Sequence, residues 1–276
     1  MRLASPVASA GVRLGSLFAA LLLAAEARAE TDEDEGLSAG ATLRAETTGR
    51  GDRDLLALAT IRRGGTTLSL GYGQSAGRSA PERHALLAGI SQELAEVLEE
   101  PVEVELEARV APDQAGVARR EIQLSGRWSG LGAGLQFRTT DASGGAAQPI
   151  DRLVAIGVTL EASRSMGSFS AGVSGSAFDL ELRSRRAGDA WSRFSRRTLD
   201  WAERWSVCAS LGAREGPLAA ELSATLASPP AAPLSQQVEL RVEAKILRVL
   251  IAAKAGFLAL PAGFVPSLGA ELRLEP

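Results

Sequence analysis

The sequence predicts an all-β chain, an antiparallel up-and-down transmembrane β-barrel of about fourteen strands, with twelve as the smaller count. Three observations predict it. Aliphatic and polar residues alternate with a period of two along most of the chain. The joints between the alternating runs are long and short by turns, with one lapse at 93–100. No apolar run after the first thirty residues reaches the 18 or so uncharged positions of a membrane helix. Strict alternation signals a strand because successive side chains leave opposite faces of an extended backbone.

The chain opens on a leader. Arg2 and Arg13 precede 14-LGSLFAALLLAA-25, and 27-ARA-29 sets small residues three and one places before Glu30. A positive start, an apolar core and an A-x-A end mark a secretory signal peptide. The apolar run is too short to span about 30 Å of hydrocarbon as a helix. Residues 1–29 are therefore expected to be cleaved on export. The residue immediately after the cleavage position is Glu30, not a cysteine, which argues against a lipid anchor. Residues 30–36, beginning 30-ETDEDE-35, form an acidic N-terminal segment, and 37–276 is the barrel domain.

Alternation begins in 37-LSAGATLRAET-47, where Leu37, Ala39, Ala41, Leu43 and Ala45 oppose Ser38, Gly40, Thr42, Arg44 and Glu46. It continues in 66-TTLSLGYGQS-75 and is plainest in 101-PVEVELEARV-110. There Val102, Val104, Leu106, Ala108 and Val110 make one side, and Glu103, Glu105, Glu107 and Arg109 the other. A helix would bring Glu103 and Leu106 onto one face and destroy this separation. The pattern returns in 131-LGAGLQFR-138, 218-LAAELSATL-226, 238-VELRVEAKI-246 and 266-PSLGAELRL-274. Strand candidates fall at 37–47, 54–63, 66–75, 84–92, 101–110, 117–128 and 131–139. The second half places them at 152–163, 168–182, 200–214, 218–226, 238–246, 249–259 and 267–274. Two places resist. In 84-HALLAGISQELAEVLEE-100 the apolar positions also fit a helical period, so helix or strand stays open. In 168–183 the alternation changes phase near Ala177–Phe178, which suggests a β-bulge or a misplaced boundary.

Composition narrows the function. The formal charge is −3 at pH 7, and the leader would carry away Arg2, Arg13 and Arg28 against Glu26 alone. An acidic chain of this kind is no nucleic-acid binder. One cysteine, Cys208, permits no internal disulfide, and one cysteine with one histidine cannot build a metal cluster of those ligands. No cofactor is expected.

The leader, the dyad repeats of 37–274 and the alternating joints together resemble the porin-like outer-membrane β-barrels of Gram-negative bacteria. The resemblance lies in pattern and rests on no sequence motif. It implies an outer-membrane location, membrane lipids as surroundings, folding by the barrel-assembly machinery, and a passive channel for small solutes. The aromatic residues are fewer than that family's interfacial girdles usually carry, with one Tyr, four Trp and seven Phe. The last strand keeps Leu268, Ala270, Leu272 and Leu274 in alternation but not the family's terminal aromatic ring. The alternative is a soluble periplasmic β-rich binding or scaffold protein.

A barrel fixes which face is inward. Arg or Lys turned to lipid at the midplane costs about 2–4 kcal/mol, so the charged rows must face the lumen. The expected lumen residues are Arg44 in the first strand and Glu103, Glu105, Glu107 and Arg109 in the fifth. Arg119, Glu121 and Arg127 follow in the sixth, and Arg138 in the seventh. Later rows add Glu239, Arg241, Glu243 and Lys245, then Glu271 and Arg273. Acids and arginines on neighbouring strands can pair, leaving two readings: a selective charged wall, or neutralised pairs that keep the lumen wet. Inward Gly40, Gly71, Gly73, Gly132, Gly134 and Gly212 are expected to widen the lumen. The loop 183–199 gathers Arg185, Arg186, Arg193, Arg196 and Arg197 with Trp191, suited to anionic headgroups or to covering the pore mouth.

Catalysis is not expected. The pattern G-x-S-x-G occurs at 36-GLSAG-40 and 73-GQSAG-77, but that motif works on a sharp strand-to-helix turn and neither Ser38 nor Ser75 has one. His84 is the sole candidate base. The run 130-GLGAGL-135 lacks the βαβ context of a nucleotide loop.

Overall fold

Fourteen antiparallel strands follow one another around a closed barrel, each hydrogen-bonded to its neighbours in sequence, with the first paired to the last. The computed structural model describes residues 37–48, 53–77, 80–97, 100–114, 116–143, 149–184, 188–198, 203–230, 234–260 and 263–274. The leader and the acidic segment lie outside them. The strands are β1 (Leu37–Thr48), β2 (Arg53–Arg63), β3 (Thr66–Gly77), β4 (Ala80–Val97), β5 (Glu100–Gln114), β6 (Val117–Trp128) and β7 (Leu131–Ser143). They continue as β8 (Pro149–Met166), β9 (Phe169–Ser184), β10 (Trp205–Glu215), β11 (Leu218–Ser228), β12 (Ser235–Ile246), β13 (Val249–Leu260) and β14 (Gly263–Leu274). Among the described residues one helix, α1 (Ala190–Thr198), stands between β9 and β10. No helix among the described residues is long and apolar enough to cross a membrane.

Each of the fourteen strand candidates holds a strand; several are longer than alternation alone gave, while the candidate 200–214 begins only at Trp205. Within the segment 84–100 the described residues are strand: β4 runs to Val97 and β5 starts at Glu100. The long joint expected at 93–100 therefore shrinks to two residues. The ambiguity had a geometric cause. Leu86, Ile90 and Leu94 stand four apart, a spacing that lies on one face of a helix and also on one face of a strand. Pairing on both sides, to β3 and to β5, decides for the strand.

At one end of the barrel the strands are linked by six two-residue joints, at 64–65, 98–99, 129–130, 167–168, 216–217 and 247–248. At the other end the joints are mixed, and the longest, 185–204, carries α1. At the tight 129–130 turn, Ser129 and Gly130 both have positive φ, 46° and 77°, the pattern of a type I′ hairpin whose twist matches its strands. Leu247 also has positive φ, 56°, and is 91% exposed. A left-handed backbone costs an L-residue about 1–2 kcal/mol, and this side chain has no burial to offset it. Leu247→Gly is accordingly expected to raise stability by about 1 kcal/mol, read as a higher denaturant midpoint of the folded band.

The outer face carries an aliphatic belt. Leu43, Leu70, Leu106, Leu124, Leu135 and Val158 are all exposed, as are Leu211, Leu222, Leu240, Ile251 and Leu272. Five aromatic residues on this face lie toward strand ends, while Tyr72 and Phe137 lie mid-strand. Trp205, Phe257 and Phe264 lie toward the end with the long joints, the two Phe rings packed edge to face, and Phe169 and Trp128 lie at the tight-turn end. The shortest strands have 11 residues, enough for the 9–11 that a tilted strand needs to cross a bilayer.

Candidate functional site: the lumen and its mouth

The cross-strand register builds the inner wall directly. Glu103, Glu105, Glu107 and Arg109 of β5 face Arg127, Ser125, Gln123 and Glu121 of β6. Arg138 of β7 stands beside Glu121 in turn. Both Arg119 and Arg138 direct their guanidinium groups at Glu121, at 3.6 and 3.5 Å. Glu103 accepts a hydrogen bond from the Ser91 hydroxyl at 2.6 Å. Arg127 reaches over β7 to Glu161 of β8 at 2.6 Å. It can do so because Gly132 lies between them in register, and a Cβ there would collide with the Glu161 side chain.

That detail corrects the expected role of four of the inward glycines. Gly132 lies under Glu161, Gly134 under Thr159, Gly71 under Leu58 and Leu87, and Gly212 under Ser170. They do not widen the lumen at those positions; they make room for a neighbour's side chain.

A second network lies where the barrel closes. Glu271 of β14 is 5% exposed and receives Arg273 at 2.8 Å and Arg241 of β12 at 3.2 Å. Arg241 also holds Glu243, at 3.1 Å. Arg44 faces Glu271 in register and pairs with Glu46 at 2.7 Å. Glu239 pairs with Lys254 of β13 at 3.3 Å, and Lys245 ends the same row beside the tight turn.

The mouth holds what sequence reasoning missed. Asp189 caps α1, its carboxylate accepting the backbone N–H of Ser192 at 3.2 Å. The helix touches β4, β7 and β9, and Phe194 is fully buried against Val117, Ala142 and Leu153, with Leu180, Leu182 and Trp191 packed around. Val117, Ala142 and Leu153 share faces with Arg119, Arg138 and Asp151, so α1 lies against the inner wall. Arg193 forks onto the fully buried Asp151, its Nη2 3.1 Å from Oδ1 and its Nε 3.2 Å from Oδ2. The Ser184 hydroxyl donates to Asp151 at 2.5 Å and accepts from Arg193 at 2.7 Å. Arg185 and Arg186 lie outside the described residues, as does Trp201, and only the helical backbone is described at Arg196 and Arg197.

The phase change at Ala177–Phe178 now has its cause, and it is not a bulge. The β8–β9 register runs unbroken through Val158↔Ala177, Gly157↔Phe178 and Ile156↔Asp179. What changes is the surroundings. Beyond Ala177, β9 extends past the start of β10. Phe178, Leu180 and Leu182 there share the inner face with Ser174 and Ser176, and the outer face carries Asp179, Glu181 and Arg183. An apolar inner wall is stable at this height because α1 covers it.

Ser75 and His84 do not meet as nucleophile and base. His84 pairs in register with Gln74, so it lies on the face opposite Ser75. Its ring stacks on Tyr72 and its Nδ1 hydrogen-bonds the Tyr72 hydroxyl.

Among solved structures, the outer membrane protein Omp33 of Acinetobacter baumannii is similar over 88% of this chain and 99% of its own, with a TM-score of 0.53 at 11% identity. The fold is that of an outer-membrane β-barrel. A bacterial polysaccharide outer membrane secretin is similar over 86% of this chain and 98% of its own, again with a TM-score of 0.53 and 11% identity. No protein-family model and no curated protein matches the chain.

Proposed function

We propose that the chain is exported by its leader, cleaved after Ala29, and inserts in the outer membrane as a passive, non-enzymatic channel for small solutes. One observation carries the reading: a closed fourteen-strand barrel with an aliphatic belt outside and charged rows inside. Barrel diameter grows with strand number. Eight strands are filled by their own side chains, whereas sixteen leave an aqueous channel, and fourteen lies toward the open end of that range. The belt counts against the soluble periplasmic alternative, since soluble monomers rarely expose contiguous apolar patches beyond a few hundred Å².

In this reading the inner-wall charges from Arg44 to Arg273 set selectivity, and the arginine-bearing joint 185–204 governs access at the mouth. Lipids and the solute are the partners, with the barrel-assembly machinery acting during folding and nucleic acid having no part. The test is heat-modifiable migration of the detergent-extracted membrane fraction, with planar-bilayer recording on the same sample. The expected result is a boiled-versus-unboiled shift with discrete current steps. A shift without current would replace the channel with a closed, structural barrel.

A further inference from the structure

Inside the barrel, between β5 and β10, lies a cavity of about 310 Å³ whose sides differ in chemistry. Glu103 and Glu105 come from β5, Arg127 from β6 and Glu161 from β8. Arg127 is committed to Glu161 at 2.6 Å, which leaves the lining with an excess of negative charge at Glu103 and Glu105. The other side is made of small hydroxyls: Thr159 of β8, Ser174 and Ser176 of β9, and Ser206 of β10. The Ser176 and Ser206 hydroxyls lie 2.6 Å apart, each able to donate to the other.

These groups specify complementary atoms. An ionised carboxylate only accepts hydrogen bonds, so the Glu103–Glu105 side calls for N–H donors with positive charge. A hydroxyl both donates and accepts, so the serine side suits ligand hydroxyls. Among the described residues, no three acidic, His or Cys side chains converge as a metal ion requires. The excess charge therefore suits an extended organic cation rather than a bare divalent ion. The volume sits at the lower end of ligand pockets, about 300–1,000 Å³, room for one ring-sized molecule.

We propose that this cavity binds a small hydroxylated ammonium solute of the amino-sugar class. The proposal rests on the channel reading and names the solute it selects. The test uses the full, heat-modifiable barrel and three probes in slightly acidic buffer: glucosamine, glucose and N-acetylglucosamine. The last two keep ring hydroxyls but lack the charge. In planar bilayers, glucosamine is expected to interrupt the current at a roughly tenfold lower concentration than either. Glu103→Gln combined with Glu105→Gln is expected to erase that preference and leave interruption by glucose unchanged. Equal effects of all three sugars, or a preference that survives the double substitution, overturn the proposal. If the folded barrel carries no current, the channel reading fails and calorimetry in detergent reads the site on the same sample. A tenfold preference for glucosamine there upholds the site, and its absence overturns it.

Discussion

Phe194→Ala is expected to give the largest change in conductance of any single substitution in this chain. Truncating a fully buried Phe typically costs about 3–5 kcal/mol, and Phe194 is the centre of the cluster that fixes α1 to the inner wall. A shift of about 5.5 kcal/mol takes a two-state equilibrium from 99:1 to 1:99. A loss of about 3–5 kcal/mol moves the equilibrium toward the undocked helix by about a hundredfold or more. The strands are closed by their own hydrogen bonds, so the variant is expected to keep a heat-modifiable shift although the apolar patch under α1 is uncovered. Single-channel recording should show larger and noisier current steps than the unsubstituted protein. Asp151→Asn weakens the Arg193 fork and is expected to act in the same direction. Unchanged steps in both variants would mean that α1 does not control the mouth.

Glu271→Ala is expected to give the largest loss of barrel stability among the inner-wall charges. Removing one partner of a buried ion pair costs about 3–5 kcal/mol, because the remaining charge is left without compensation. Here two arginines, Arg241 and Arg273, lose the same carboxylate, with Arg241 keeping Glu243 as its partner, beside the β1–β14 seam on which closure depends. The Arg44–Glu46 pair is a fair comparison. Its side chains are 40% and 24% exposed, and pairs of that kind are worth about 0.2–1 kcal/mol. Urea titration of the unboiled band should therefore show a large drop in midpoint for Glu271→Ala and a small one for Glu46→Ala. Equal drops would show that the buried network contributes nothing special to closure.

Much of this fold is legible in single strands. The row Val102 to Val110 can satisfy lipid on one side and water on the other only as an extended chain, and the same holds for 131–138 and 238–246. The strand ends were less legible, because above the membrane belt the requirement for an apolar outer face lapses. β8 and β9 lengthen there without alternation to announce them. The helix was missed for a related reason. Nine residues with the sequence AWSRFSRRT have little intrinsic stability as a helix, and docking on the wall fixes them. A signal was nonetheless present, since the inverted phase at Phe178, Leu180 and Leu182 marks an inner face that needed an apolar partner. Gly132 was misread because its value lies in a contact between residues from two other strands, Arg127 and Glu161. No pattern within one strand carries that information.

The central claim is that alternate residues of each strand face water inside and lipid outside, and β5 tests it most directly. In a Cys208→Ser background, the Glu105→Cys and Leu106→Cys variants are treated with a membrane-impermeant maleimide in intact outer-membrane vesicles. The account predicts that the thiol at 105 reacts, with a fall in conductance, and that the thiol at 106 is protected until the lipid is removed. Equal reaction at both positions, or protection at 105 with reaction at 106, would contradict it.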